Sequence, residues 1–242
     1  MATYYKGFVA VWRPGSGFQQ WVTGLTPDQF KVIDDAYFQL GKRLTSVDVY
    51  EWAGDSITAV WRAGSGAQYW RYGMSPSSFK SKDKTHFNAG RRIAGIDRYG
   101  DELMSVWRPG SGAQRFATGV SWSKFVLLDK MYLVQGLRLT HLLKLGSAGY
   151  TAVWRPGTGA QWVHSGITVT QLKALDAGYF GSGLRIVSLD ISNGRFIAVW
   201  RPGTGGQKFA SGLDVDEFKA KDKAYFDKGF RIHVLRAKRF RK

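Results

Sequence analysis

One short phrase, Val-Trp-Arg-Pro/Ala-Gly-Ser/Thr-Gly, occurs five times among the 242 residues of the chain. Its tryptophans are Trp12, Trp61, Trp107, Trp154 and Trp200, so successive copies are 49, 46, 47 and 46 residues apart. A unit of about 47 residues cannot bury its own apolar face and must share a core with its neighbours. The spacing therefore predicts a single domain over residues 1–242. We place its five repeats at approximately 7–52, 53–99, 100–145, 146–191 and 192–238.

Each repeat predicts the order strand, strand, helix, strand. The segment before each tryptophan, such as Phe8 to Val11, has the period-2 alternation of a half-buried strand. The glycine-rich segment after it is a turn signal, and we expect it to join the first two strands as a hairpin. A capping residue such as Thr26 begins the helix, and a glycine such as Gly41 ends it. A third strand, which starts with Arg and then Leu or Ile, leads to the next repeat.

The first and last repeats keep the apolar positions of the three middle ones. Because open arrays need polar capping units at their ends, we expect an α+β repeat protein whose five β-β-α-β units form a closed ring or barrel-like toroid. In that arrangement the last strand, Phe230 to Ala237, pairs with the first, Gly7 to Arg13. The alternative is an open arc whose ends are covered by the chain termini or by a second copy.

The repeat also resembles a known family. Its Ala-Val-Trp-Arg-Pro-Gly strand, its glycine turn followed by Gln, and its helix followed by a Gly-Arg step are similar to bacterial tandem-repeat units. Such units also form the non-catalytic N-terminal part of fungal polyglycine hydrolases. The resemblance covers almost all of Gly7 to Ala237. It implies small sheets and helices around a partial or closed barrel, and it implies no activity; we expect no counterpart of the attached serine-hydrolase domain.

Positions retained in all five copies supply the candidate site. Each copy keeps a Trp and an Arg before the turn and a Gln after it, which together make an aromatic plate beside several hydrogen-bond donors. A sugar ring suits such a cluster because one of its faces is apolar and its rim carries hydroxyls. Core packing is the alternative for the Trp, and the hairpin backbone is the alternative partner for the Gln. The candidate ligand-binding residues are Trp12, Arg13, Gln19, Trp61, Arg62, Gln68, Trp107, Arg108, Gln114, Trp154, Arg155, Gln161, Trp200, Arg201 and Gln207.

The helix keeps an aspartate in every copy on the same stripe as its aromatic residues: Asp34, Asp83, Asp129, Asp176 and Asp222. A carboxylate there is costly unless it is paired and hydrogen-bonded. Two series of arginines are also invariant. The Arg13 series is Arg13, Arg62, Arg108, Arg155 and Arg201, and the Arg43 series is Arg43, Arg92, Arg138, Arg185 and Arg231. We predict that one series pairs with the aspartates, and the Arg43 series is favoured because it is nearer along the chain.

The sequence gives little support for catalysis. It contains no cysteine, which excludes disulfides, thiolate zinc sites, iron–sulfur clusters and cysteine nucleophiles. The four histidines fall at four different positions of the repeat, and no His-x-x-x-His spacing, Gly-x-Ser-x-Gly elbow or Walker loop occurs. We therefore expect no enzyme, no metal site and no cofactor.

The chain carries 35 Lys and Arg against 18 Asp and Glu, a formal net charge of +17 at pH 7. The densest basic segment is Lys228 to Lys242, which we expect to be a strand ending in a short basic tail. Such a tail attracts nucleic acid, an anionic glycan or a negatively charged membrane surface. A solvated tail without a specific partner is the ordinary alternative.

The leading hypothesis is a non-enzymatic lectin with up to five similar sites. Repeated weak sites gain avidity on the glycans of a cell surface or glycoprotein. The alternatives are an electrostatic binder of nucleic acid or anionic polymer, and a structural scaffold without a ligand. On the second strands Tyr69, Arg71, Trp162 and His164 occupy variable positions that we expect to face solvent, where they suit a repeat-specific partner.

Neither a signal peptide nor a membrane span is expected. Met1 to Lys6 lacks the charged and then apolar run of a signal peptide, and no stretch reaches the roughly 20 apolar residues of a membrane span. We expect a cytoplasmic protein, or one released by a route without a standard signal peptide. The sequence leaves the oligomeric state open.

Overall fold

The structure, a computed structural model, describes residues 4–51 and 55–241. The first repeat consists of β1 (Tyr4–Pro14), β2 (Gln19–Leu25), α1 (Pro27–Gln39) and β3 (Lys42–Glu51). The second consists of β4 (Asp55–Ala63), β5 (Tyr69–Met74), α2 (Pro76–Asn88) and β6 (Arg91–Tyr99). The third consists of β7 (Glu102–Pro109), β8 (Arg115–Val120), α3 (Trp122–Val134) and β9 (Leu137–Leu145). The fourth consists of β10 (Gly149–Pro156), β11 (Trp162–Ile167), α4 (Val169–Gly181) and β12 (Leu184–Ser192). The fifth consists of β13 (Arg195–Pro202), β14 (Lys208–Leu213), α5 (Val215–Asp227) and β15 (Phe230–Arg241), and the predicted order is confirmed in every repeat.

The strands form five similar three-stranded sheets, and each sheet combines two repeats. Their orders are β14-β1-β15, β2-β4-β3, β5-β7-β6, β8-β10-β9 and β11-β13-β12. The second and third strands of one repeat flank the first strand of the following repeat. In the same way, β14 and β15 of the fifth repeat flank β1. Each repeat therefore completes the sheet of the repeat before it.

The predicted hairpin between the first two strands is wrong. The chain leaves β1 at Pro14, which still pairs with Phe230, and enters another sheet at β2. We call the connecting segments the crossing loops; they are residues 15–18, 64–68, 110–114, 157–161 and 203–207. The first crossing loop bonds to the fifth repeat: Gly15 N donates to Gly229 O at 3.0 Å, and Arg231 Nε donates to Gly17 O at 2.8 Å. These bonds accompany the passage of the chain into another sheet, so β2 does not pair with β1.

The first and last strands pair with each other, as predicted. The antiparallel register runs from Tyr4 opposite Arg241 to Pro14 opposite Phe230. The third strands of successive repeats also contact one another: β3 contacts β6 and β15, β9 contacts β6 and β12, and β12 contacts β15. No sheet closes on itself, since each contains three strands in the described part of the chain.

One helix packs on each sheet and buries a single large residue against the tryptophan of that sheet. This residue is Phe30, Phe79, Phe125 or Phe218 in four repeats and Leu172 in the fourth repeat. The predicted caps are present: the Thr26 side chain accepts a hydrogen bond from Gln29 N, and the next turn passes through Gly41 at φ +68°. Within the described ranges, no helix has both the length and the apolar character that crossing a bilayer requires.

The predicted basic tail is wrong for its first part, because β15 continues as a paired strand to Arg241. Arg236 is only 6 % exposed, and its Nε donates to Leu189 O at 2.7 Å. Lys238 Nζ lies 3.1 Å from Asp48 Oδ1. Pairing with β1 draws these two cations into the protein, where buried carboxylates compensate them.

Candidate functional site

Each repeated aspartate accepts hydrogen bonds from an indole and an amide of another repeat, which is the following repeat for the first four aspartates and the first repeat for Asp222. Asp34 Oδ1 accepts from Trp61 Nε1 at 2.8 Å and from Gln68 Nε2 at 2.9 Å. Gln68 Oε1 accepts from Leu44 N at 2.8 Å. The same contacts recur at Asp83 with Trp107 and Gln114, Asp129 with Trp154 and Gln161, Asp176 with Trp200 and Gln207, and Asp222 with Trp12 and Gln19. We call this arrangement the repeat junction.

The predicted pairing of aspartate with arginine is wrong. In the part of the chain that the structure describes, no arginine of either series lies within 4.0 Å of these carboxylates. Burial raises the pKa of Asp34, and the hydrogen bonds from indole and amide oppose that rise. The cost of burying the carboxylate is therefore offset first by neutral N–H donors, and at Asp83, Asp129 and Asp222 a more distant arginine of the Arg43 series also lowers the pKa.

The structure brings the Trp and Gln candidates together, but inside the protein. All five tryptophans are 0 % exposed, and the glutamines are buried or half-buried. Both ends of each glutamine amide bond to protein atoms, as at Gln68. This agrees with the core alternative for the tryptophans, and the expected open plate is not formed. Of the candidate residues, the arginines are the ones that keep donors for a ligand.

The Arg43 series clamps each helix to the next crossing loop. Arg43 Nε donates to Gly66 O at 2.6 Å, its Nη1 donates to Phe38 O at 3.0 Å, and its guanidinium carbon lies 3.7 Å from the Phe38 ring centroid. A cation at this position also suits the negative end of the helix dipole. The two guanidinium–carbonyl bonds recur at Arg92, Arg138, Arg185 and Arg231.

The Arg13 series is half-buried and uses few of its donors. Arg108 Nη2 donates to Ser65 O at 3.3 Å, and Arg155 Nη2 donates to Ser111 O at 2.9 Å. The Nε atoms of Arg155 and Arg201 are buried and have no hydrogen-bond partner in the described part of the chain. A guanidinium carries five N–H donors. Most donors of these side chains therefore remain for another partner.

Each Arg13-series side chain lies beside one of the Arg43 series. A Cβ built on Gly15 would lie 2.7 Å from Arg62 Nη2 and 3.1 Å from Arg231 Cγ, so only glycine admits this approach without a shift. The pKa of each Arg13-series guanidinium is lowered by burial and then by its arginine neighbour. The pairs are Arg13 with Arg185, Arg62 with Arg231, Arg108 with Arg43, Arg155 with Arg92, and Arg201 with Arg138.

These ten guanidinium groups and the crossing loops form what we call the arginine face. Across the described residues, none of the ten has a carboxylate within 4.0 Å. Like charges held close together are unfavourable, and the junction carboxylates that attract Arg92, Arg138 and Arg231 lie more than 4.0 Å from them. An anion placed between them removes that repulsion, so the face is chemically suited to anionic groups.

A cavity of about 390 Å³ adjoins the arginine face, and we call it the central cavity. All five third strands line it, at equivalent positions of the repeat: Ser46, Gly95, His141, Ser188 and Val234. Its other charged or titratable lining residues are Arg62, Arg201, His233 and Arg236, and no Asp or Glu lines it. Burial, and then nearby positive charge, lowers the pKa of His141 and of His233 to about 4.

Below the cavity lies a buried ion cluster that the sequence analysis missed. Arg236 Nη1 lies 3.6 Å from Asp48 Oδ1 and 3.8 Å from Asp97 Oδ2. The carboxylates also join neighbouring sheets, because Asp48 Oδ2 accepts from Ala237 N and Asp97 Oδ2 accepts from Val49 N. Comparison of invariant positions could not find this cluster, since the equivalent residues differ between repeats. The available signal was a charged residue inside the apolar pattern of a third strand.

The fourth repeat carries an exposed aromatic surface of its own. Trp162 is 51 % exposed, and its ring stacks on Tyr179 with centroids 5.6 Å apart. His164 Nε2 lies 2.8 Å from Tyr179 Oη, and a groove of about 660 Å³ runs along α4 beside them. The expected exposure is confirmed for Trp162, Tyr69 and Arg71, whereas His164 is half-buried.

Comparison with known proteins gives one finding. The family model described as a polyglycine hydrolase-like structural repeat matches residues 65–107, from the second crossing loop to the third copy of the tryptophan. A search of curated proteins finds no match to the chain. The description of the matched family names a structural repeat and no reaction. Residues 65–107 are therefore similar to the polyglycine hydrolase-like structural repeat, in agreement with the resemblance in the sequence.

Proposed function

We propose that the protein is a non-enzymatic, multivalent binder of anionic polymers, and that the arginine face is its binding surface. The observation that carries this proposal is the set of five arginine pairs without a carboxylate within 4.0 Å in the described residues. Arginine suits phosphate and sulfate groups because its planar guanidinium offers several donors in a fixed geometry. The formal net charge of +17 adds long-range attraction for the same ligands.

The binding surface is proposed to be continuous around a closed ring of five repeats. Pairing of β1 with β15 supports this arrangement, as does the contact order of the third strands, which leads from β15 back to β3. A Cβ on Gly203 of the fifth repeat would lie 2.6 Å from Arg13 Nη2 of the first, so the arginine contacts also run from the last repeat to the first. A ring presents five equivalent arginine pairs to one polymer, which gains affinity by avidity.

Carbohydrate binding is kept as a second candidate, at one place. A lectin with five sites is not supported, because the repeated tryptophans that would form its aromatic plates are buried. Trp162 is exposed beside a groove that also contains Gln171 and Ser182, and this combination of an aromatic ring with polar groups suits a sugar. The second candidate has a single site, and Trp162→Ala is expected to abolish binding to an array of neutral glycans.

The proposal is tested by the salt dependence of binding to heparin, with neutral dextran as the control polymer. Release of counterions predicts that the affinity for heparin falls by about tenfold or more between 50 and 200 mM salt. Dextran is expected not to bind. Heparin affinity that is insensitive to salt, or equal binding of dextran, would contradict the proposal.

A matched pair of variants locates the surface. Changing the five arginines of the Arg13 series to Gln is expected to abolish most heparin binding at 100 mM salt. The control changes five exposed lysines on the helices to Gln, with the same loss of charge: Lys80, Lys84, Lys124, Lys173 and Lys219. If both variants lose the same affinity, net charge rather than the arginine face accounts for binding.

A further inference from the structure

The central cavity holds more free donors than the fold requires. His233 Nε2 and Arg201 Nε are buried and have no hydrogen-bond partner in the described residues. Buried polar groups are normally satisfied. An acceptor inside the cavity would satisfy these donors.

The charge of the lining selects the kind of acceptor. Three arginines line the cavity and none of its lining residues is acidic, while His141 and His233 are neutral near pH 7 because their pKa is about 4. Asp48 and Asp97 compensate the charge of Arg236, whereas Arg62 and Arg201 have no carboxylate within 4.0 Å in the described residues and supply the positive charge of the cavity. The cavity therefore favours an anion over a neutral ligand.

The size of the cavity selects a compact ligand. A volume of about 390 Å³ lies near the lower end of the range of about 300–1,000 Å³ for small-molecule pockets. The cavity is too small for a folded segment of polymer, whereas a short chain of phosphate groups fits this range. Several acceptor oxygens on one ligand also match the several donors present.

We propose that the central cavity binds a compact, multiply charged oxyanion of the polyphosphate class, held by Arg62, Arg201 and His233. The proposal deepens the proposed function, since it rests on the attraction of the arginine face for anions. It adds a distinct site that takes one small ligand, inside the cavity rather than across the loops.

Isothermal titration with inorganic triphosphate tests this site with two variants of equal charge. Arg62→Gln/Arg201→Gln removes two arginines that line the cavity. Lys84→Gln/Lys173→Gln removes two exposed helix lysines that belong neither to the cavity nor to the arginine face. We expect the first variant to lose about tenfold or more in triphosphate affinity and the second to lose less than about threefold. Equal losses in both variants, or no binding by the unchanged protein, would overturn the proposal.

Imidazole NMR on the unchanged protein gives a readout that needs no variant. The chain has four histidines, of which His141 and His233 line the cavity while His86 and His164 lie elsewhere. Triphosphate is expected to shift the Nε2 signals of the first two only. Shifts spread over all four rings, or none, would contradict a site in the cavity.

The heparin and triphosphate results separate the two proposals. If heparin binds through the arginine face while both double variants bind triphosphate equally, the cavity site fails and the proposed function stands. If heparin fails to bind and triphosphate affinity depends on Arg62 and Arg201, the proposed function fails and the cavity still binds a small anion.

Discussion

At the scale of residues, the repeat junction shows how a buried carboxylate is held without a salt bridge. Asp83 Oδ1 accepts from Trp107 Nε1 and from Gln114 Nε2, both at 2.9 Å. Gln114 also accepts from Ile93 N, so one side chain links a helix, a crossing loop and a third strand. The junction therefore joins two repeats through donors that carry no charge.

Removing one junction carboxylate should be costly because it leaves two buried donors without partners. Asp83→Ala is expected to lower the free energy of unfolding by about 2–4 kcal/mol, measured by urea unfolding. Asp35→Ala is the control; Asp35 is an exposed aspartate whose partner is Lys31, and its loss should cost no more than about 0.5 kcal/mol. Similar losses for both variants would show that the junction is not the reason for the invariant aspartate.

The central histidines give the stability a pH dependence. In the unfolded chain they titrate near the ordinary pKa of 6.5, whereas in the folded protein the pKa of His141 and of His233 is about 4. The unfolded state binds more protons between these values, so their contribution to stability is complete above pH 6.5 and is lost as the pH falls toward 4.

The double variant His141→Gln/His233→Gln should therefore lose less stability than the unchanged protein between pH 7 and pH 4.5 in urea unfolding. Burial raises the pKa of Asp48 to about 7, which favours the folded protein as the pH falls. This carboxyl is present in both proteins, so the comparison isolates the imidazoles. The same pH slope in both proteins would refute this assignment.

At the scale of elements, the sequence predicted whether each segment is a strand or a helix more reliably than it predicted which strands pair. Alternation, caps and terminal glycines predicted the strands and helices because these signals act within a few residues. The hairpin was predicted wrongly because a turn sequence specifies a local bend and not the strand reached beyond it. Bonds from distant residues, such as Arg231 to Gly17, decide that pairing.

Helix α4 contains two glycines, Gly178 and Gly181, and glycine has a low helix propensity. A Cβ on Gly178 would meet no atom within 4 Å, so Gly178→Ala should raise the free energy of unfolding by about 0.5–1 kcal/mol. Gly183 has φ +77° just beyond this helix, so Gly183→Ala should be destabilising instead. Thermal melting of both variants checks the opposite signs, and a shift of the same sign in both would contradict this reasoning.

At the scale of the whole molecule, the five repeats share one order of strands and helix. Their residues differ at the positions where the third strands contact one another. The positions that hold Asp48, Asp97, Asp190 and Arg236 are equivalent in the repeat, and only the assembled strands place these opposite charges together. The repeat spacing predicted the shared plan. The buried ions and the central cavity depend on five different sequences meeting in one place, which no single copy reveals.

The central claim is that each repeat completes the sheet of the repeat before it, and that β1 completes the last sheet within the same molecule. Lys6 lies opposite Arg239 in the register of β1 and β15, and the chain contains no cysteine of its own. The double variant Lys6→Cys/Arg239→Cys should form a disulfide within the monomer on mild oxidation, whereas Lys6→Cys/Arg241→Cys, two residues out of register, should not. Non-reducing electrophoresis and mass spectrometry of the monomer measure this directly. Efficient intramolecular crosslinking only in register is the predicted result, and dimers or uncrosslinked monomers from the in-register pair would contradict the account.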